Sequence, residues 1–106
     1  MHIMADFGHF IKEEREKHSW TQTEFGAKIG INSSAISRIE NGSQKISNSK
    51  LKKISEVFQL DLQYVKDLFY ADKFARDALD NMCSDKVFAV AEKTSAYIRE
   101  NRKNNS

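Results

Sequence analysis

The sequence predicts an all-α fold, and three observations carry that expectation: no proline, only four glycines, and one helix-start pattern that recurs along 106 residues. β-rich folds need glycine and proline to punctuate their turns, and this chain has little of either. The lone cysteine excludes an internal disulfide and fits a reducing compartment. With 40% hydrophobic residues, 30% charged residues and a net charge of +2, the composition is that of one compact globular domain. No stretch approaches the roughly 20 apolar residues of a membrane span, and the first residues lack the basic start and apolar run of a signal peptide. The expectation is a cytoplasmic protein with no membrane partner.

The first helix is expected from Ala5 to Lys17, with Phe7, Phe10 and Ile11 on one face and Lys12, Glu13, Glu16 and Lys17 on the other. Further starts follow from an apolar residue, a capping residue and a second apolar residue four positions into the helix. Trp20, Thr21 and Phe25 form the first of these, and Thr21 with Glu24 adds a capping box. The pattern repeats at Ile31-Asn32 with Ile36, Ile46-Ser47 with Leu51, Leu60-Asp61 with Val65, and Cys83-Ser84 with Phe88. Helices are therefore expected to begin near positions 22, 33, 48, 62 and 85. The third ends near Asn41-Gly42, the fifth runs from Leu62 to about Asn81, and the sixth from Asp85 to about Arg102. A soft boundary falls at Leu60-Asp61, between an array of short helices (5–69) and a pair of long C-terminal ones (62–102). The polar end, 103–106, has no apolar face to dock and is expected to be disordered.

Two of these helices are crowded together between Gln22 and Gly42. Gly26 stands in the middle of the first, where it costs about 1 kcal/mol relative to alanine, so a close helix crossing is expected to reward its missing side chain. Gly30 suits the left-handed position that ends a helix, after which Ile31 turns inward and Asn32 caps the next helix. Phe25, Ile29, Ile31, Ile36 and Ile39 supply the buried face. Ser33, Ser34, Ser37 and Arg38 then point outward, and packing needs none of them.

This tight helix-turn-helix resembles the lambda-repressor-like family, also called the Cro or xenobiotic-response-element family of bacterial and phage regulators. Gln22 falls on its helix-opening glutamine, Gly26 on its small-residue position and Gly30 on its turn glycine. Ile36-Ser37-Arg38-Ile39-Glu40-Asn41-Gly42 matches the stretch that closes its recognition helix, and the resemblance extends from about Phe7 to Phe69. Alanine is usual where this chain has Gly26, which is expected to soften the helix without changing the geometry. The resemblance implies a five-helix DNA-binding domain, here with the last helix extended and a further C-terminal helix added. It implies that the helix from Ser33 to Glu40 enters the major groove of double-stranded DNA while the preceding helix lies across the backbone.

On that reading Gln22, Thr23, Asn32 and Asn41 hold phosphates, helped by backbone N–H groups at the helix starts. Ser33, Ser34, Ser37 and Arg38 face base edges. Arg38 is the strongest candidate, since a guanidinium can bond guanine O6 and N7 together, worth about 1 to 3 kcal/mol of discrimination. Serines are short and promiscuous, so a good share of the preference is expected from DNA shape. Between Gly42 and Lys53 stand Lys45, Lys50, Lys52 and Lys53 and no acid, directly after the groove helix, and Lys45 is expected to contact a phosphate. The family also pairs an arginine late in its first helix with the glutamate before Asn-Gly, which implies a structural ion pair between Arg15 and Glu40.

Nothing in the chain supports an enzyme. His2, His9 and His18 lack metal-ligand spacing, Cys83 has no second cysteine and reads as a small apolar staple, and there is no glycine-rich phosphate loop. No metal or cofactor is expected. In the last helix, Val87, Val90, Ala91, Thr94 and Ile98 form an apolar stripe, and pairing with a second copy of the chain is the favoured use for it. Two copies would read half-sites about 34 to 36 Å apart, so a dimeric repressor on a pseudo-palindromic operator is the reading. The rival is an antitoxin or adaptor whose C-terminal helices grip a protein partner; a controller of restriction-modification genes is a further alternative within the family.

Overall fold

The computed structural model describes residues 6–104, and among them there are six α-helices and no strand. They divide into two compact units, the first ending at Asp72 and the second starting at Lys73. Ala5, the expected start of the first helix, lies outside the described residues, as do Met1 to Met4 and the last two positions of the expected tail, 105–106.

Local capping decides where each helix of the first unit begins. α1 (Phe7–Lys17) starts two residues later than expected, because the Asp6 side chain accepts the His9 N–H at 2.7 Å. Its first amide, Phe7 N–H, donates to Asp72 Oδ2 at 2.8 Å. Carboxylates at this end also complement the positive pole of the helix. α2 (Gln22–Ile29) opens on the complete capping box: Glu24 N–H donates to Thr21 Oγ1 at 3.0 Å, and Thr21 N–H donates to Glu24 Oε1 at 2.8 Å. α3 (Ser33–Asn41) is capped by Asn32, whose Oδ1 accepts from Ala35 N–H at 2.8 Å.

The segment expected to be helical from 48 begins as a 3-10 turn, Asn48–Lys50, and becomes α4 only at Leu51–Phe58. Ser47 does cap it, but by accepting from Ser49 N–H, and Lys50 N–H closes back on the Ser47 carbonyl at 3.0 Å, which winds the first turn tightly. α5 (Leu62–Asp80) is a single helix of 19 residues, and α6 covers Lys86–Asn104. Two residues expected in the loose tail, Lys103 and Asn104, are thus helical, where the basic Arg102 and Lys103 suit the negative pole of the last turn.

The core of the first unit is Phe7, Phe10, Ile11, Phe25, Ile29, Ile36, Ile39, Ile46, Leu51, Ile54, Phe58 and Val65. Burial of each such side chain contributes about 1.5 to 3 kcal/mol. At its centre Phe25 and Phe58 stack almost parallel with centroids 5.0 Å apart, and Trp20 stacks beside both. Leu62, Leu68 and Phe69 pack against this core around the fully buried Val65. The first part of α5 therefore belongs to the first unit, which ends inside this helix at Asp72.

Besides the crowding at Gly26, where an added Cβ would meet the Ile31 carbonyl and the Ile36 side chain of α3, a close crossing occurs at Gly8, where a Cβ would run into the Ile39 carbonyl oxygen. α1 thus meets the last turns of α3 backbone to backbone. In the second unit Phe74 and Phe88 meet edge to face at 5.4 Å, and Ala78 is its one buried side chain among the described residues. Cys83 is exposed rather than buried, and the chain leaves α5 through the left-handed backbone of Met82 and a Cys83 N–H bond to the Ala78 carbonyl at 2.9 Å. Among the described residues no helix is long and apolar enough to cross a membrane.

Candidate nucleic-acid interface

The turn between α2 and α3 is fixed from three directions. Gly30 adopts φ 75°, a left-handed conformation that costs glycine least, and the Ile31 N–H then donates to the Gly26 carbonyl at 2.8 Å. This fold-back is what excludes a side chain at position 26, since a Cβ there would collide with the Ile31 carbonyl oxygen. The alanine usual at this position would not fit without a backbone shift, so Gly26 sets the geometry of the turn as well as the stiffness of α2. Lys50, from the 3-10 turn, donates its Nζ to the Ile29 carbonyl at 3.0 Å and seals the C-terminal end of α2.

α3 is held against the other helices by its inner face, Ala35, Ile36 and Ile39, all buried. Its C-terminal end is tied to α1 by Arg15, whose Nε and Nη2 donate to Glu40 at 2.7 and 3.0 Å. The third arm of the guanidinium, Nη1, donates to the Trp20 carbonyl at 2.8 Å. Arg15 is held more strongly protonated than usual, chiefly by its hydrogen bonds to Glu40, against the opposing effect of burial. Gln22 Nε2 donates to the same Glu40 Oε1 at 3.1 Å, so one carboxylate connects the starts and ends of three helices. The arrangement fixes how α3 projects from the unit.

On the outer face of α3, Ser34 and Arg38 are exposed and Ser33 and Ser37 half-buried. These four residues share one face, as the helical spacing implies. Beyond it, Asn41 Oδ1 accepts from Ser43 N–H at 2.9 Å and Gly42 turns the chain with φ 85°. Gln44 comes back over the helix, where its Oε1 accepts from Arg38 Nε at 2.7 Å. Lys45 is exposed beside the buried Ile46, and Lys52 and Lys53 are exposed on α4. Thr23 is exposed in the first turn of α2. The side chains of Gln22, Asn32 and Asn41 each already serve a structural bond through one of their polar atoms: Nε2 for Gln22 and Oδ1 for the two asparagines.

Gln44, Lys50 and Gly8 are not legible in the sequence as site or support residues. Gln44 and Lys50 act through side-chain bonds across a loop, and Gly8 through a close approach between helices; none of these leaves a periodic signature.

The C-terminal stripe lies in the second unit. Val87 and Ala91 are half-buried, Val90 and Ile98 are 59% and 41% exposed, and Thr94 is exposed. Leu79, Met82 and Tyr97 are exposed in the same unit at 76%, 91% and 70%.

Comparison with known proteins bears on both units. Residues 11–65 match the sequence profile of the helix-turn-helix family. The antitoxin PezA of Streptococcus pneumoniae serotype 4 (strain ATCC BAA-334 / TIGR4) is 33% identical over 86 residues, covering 81% of this chain and 52% of that protein. The chain therefore spans about half the length of that curated relative. Among solved structures, the P22 c2 repressor in complex with synthetic operator 9T superposes with a TM-score of 0.52 at 25% identity, over 57% of this chain and 91% of that one. The master regulator for biofilm formation SinR, in complex with DNA, superposes with a TM-score of 0.50 at 28% identity, over 56% of this chain and 95% of that one.

Proposed function

The chain belongs to the helix-turn-helix family, and from that premise we propose that it is a dimeric repressor that reads a pseudo-palindromic operator through α3. That it is a DNA-binding transcriptional regulator follows from the family and from structural neighbours that are repressors and regulators bound to DNA. The observation that carries the finer reading is the outer face of α3. Ser33, Ser34, Ser37 and Arg38 contribute little to packing, yet the helix that bears them is anchored at its far end by the Arg15, Gln22 and Glu40 network.

Placed in the major groove, Arg38 supplies the guanidinium for a guanine edge, and the serines supply short donors and acceptors. Thr23, Asn32, Asn41 and Lys45 flank this face and serve the phosphates. Gln22 keeps one N–H of its amide for a phosphate while the other holds Glu40. Lys45 adds the charge that steers DNA toward the face. The exposed stripe from Val87 to Ile98 supports self-association, since two half-sites read together multiply a modest single-site affinity.

A second reading rests on the match to antitoxin PezA. Here the second unit grips a protein partner and DNA binding serves that complex. The two readings share the α3 interface and differ in what covers the C-terminal stripe.

Selection of bound sequences from a randomised duplex library by the purified chain tests the proposal. Enrichment of a motif with dyad symmetry, its half-sites separated by about 10 to 10.5 base pairs or a multiple, is the expected result. An unenriched library contradicts it, and a single asymmetric half-site contradicts the dimer.

A further inference from the structure

The contact between Arg38 and Gln44 links the centre of the candidate interface to a loop residue that is not part of the helix. Arg38 Nε donates to Gln44 Oε1 at 2.7 Å, and the Arg38 carbonyl accepts from the N–H groups of Ser43 at 3.0 Å and Gln44 at 3.2 Å. Gln44 is thus tied to Arg38 at its backbone and at its side chain. The loop that carries it is set by the Asn41 bond to Ser43 N–H and by the left-handed Gly42. Among the described residues the guanidinium has no other hydrogen-bond partner, and Arg38 itself is exposed.

We infer that Gln44 is a positioning residue for base reading, holding the Arg38 guanidinium so that its two terminal nitrogens face the DNA. This rests on the reading of Arg38 as a base contact. A guanidinium has five N–H donors in a rigid plane. With Nε occupied by the amide oxygen, the Nη1 and Nη2 edge is left to span guanine O6 and N7. An exposed arginine without such a partner samples many rotamers, and ordering it on DNA costs affinity that a prealigned side chain does not lose. The partner is also a neutral amide. It orients the guanidinium without cancelling the charge that phosphates attract, as a carboxylate in the same place would.

The test uses the full chain and a duplex enriched from a randomised library. Discrimination is the ratio of affinities for that duplex and for copies in which each G·C pair in turn is replaced. Arg38→Ala is expected to lower discrimination at one G·C pair by about tenfold or more. Gln44→Ala should lower it at the same pair by about threefold to tenfold and leave the other positions and the melting temperature unchanged. The double variant should match Arg38→Ala alone. Gln44→Glu, which keeps the acceptor, should retain discrimination while weakening every duplex alike.

Four results overturn the assignment. Full discrimination in Gln44→Ala beside a loss in Arg38→Ala means that Arg38 reads bases without help. Raised discrimination in Gln44→Ala means that Gln44 holds the arginine away from DNA. An equal loss on all duplexes in Gln44→Ala makes Gln44 a backbone contact. Unchanged discrimination in Arg38→Ala, or a library that yields no preferred duplex, removes the base-reading role of Arg38 and the positioning role with it.

Discussion

The Arg15 guanidinium and the Glu40 carboxylate form a two-pronged pair, Nε at 2.7 Å and Nη2 at 3.0 Å, with side-chain exposures of 11% and 4%. The pair joins the late part of α1 to the last turn of α3, and Gln22 shares its carboxylate. The two side chains are mostly buried and each satisfies the other, so removal of Arg15 leaves the Glu40 carboxylate without its counter-charge, held only by Gln22. Arg15→Ala is expected to cost about 3 to 5 kcal/mol of stability. It should leave the DNA affinity of the folded fraction much less affected. An unchanged thermal melt would contradict the structural role.

Gly26→Ala separates two explanations of one residue. Helix propensity alone predicts a gain of about 1 kcal/mol. The collision of the added Cβ with the Ile31 carbonyl oxygen predicts a net loss of about 1 to 3 kcal/mol, because the turn backbone must move. Urea denaturation decides between them, and a stabilised variant would mean that the turn relaxes freely.

The capping box on α2 is expected to respond to acid. Glu24 is held below the usual carboxylate range, first by the bond from the Thr21 backbone N–H and then by the Thr21 side chain. A folded-state value below the unfolded one means that the stabilisation is complete above about pH 4.3 and is lost as the pH falls through the folded value. The melting-temperature difference between the parent chain and Glu24→Gln should therefore be present at neutral pH and close under acid. A difference that stays constant with pH would assign the effect to shape alone.

Lys45→Ala addresses the proposed phosphate contact. Affinity should fall on every duplex alike, and the slope of log affinity against log salt should flatten by about one unit. A loss confined to one sequence would make Lys45 a base reader instead.

The proposed self-association can be broken without touching either core. Val90 and Ile98 are 59% and 41% exposed in the single chain, so Val90→Glu with Ile98→Glu should leave the monomer folded and lower the melt only by the stabilisation that pairing supplies. Sedimentation equilibrium should then report a monomer where the parent chain is a dimer. Persistence of the dimer would place its interface elsewhere.

What the sequence reveals and what it hides divide along physical lines. The caps at Thr21 and Asn32 are legible because a cap is local, a side chain meeting an N–H three residues on. Asp6 is hidden because no large apolar residue directly precedes it to complete the pattern. Gly26 is visible as a costly residue, but its cause, a carbonyl folded back over the helix, depends on the path of the turn. Lys50, Gln44 and Asp72 all act through bonds that join separate elements. Only the folded arrangement brings them to their partners.

The most direct measurement is a fluorescence-anisotropy titration at near-physiological salt, comparing the duplex that a randomised library yields most often with a shuffled duplex of equal composition. A sequence-specific regulator should prefer the first by about a thousandfold or more. Coincident curves would contradict that account and shift attention to the C-terminal stripe as the site of a protein partner.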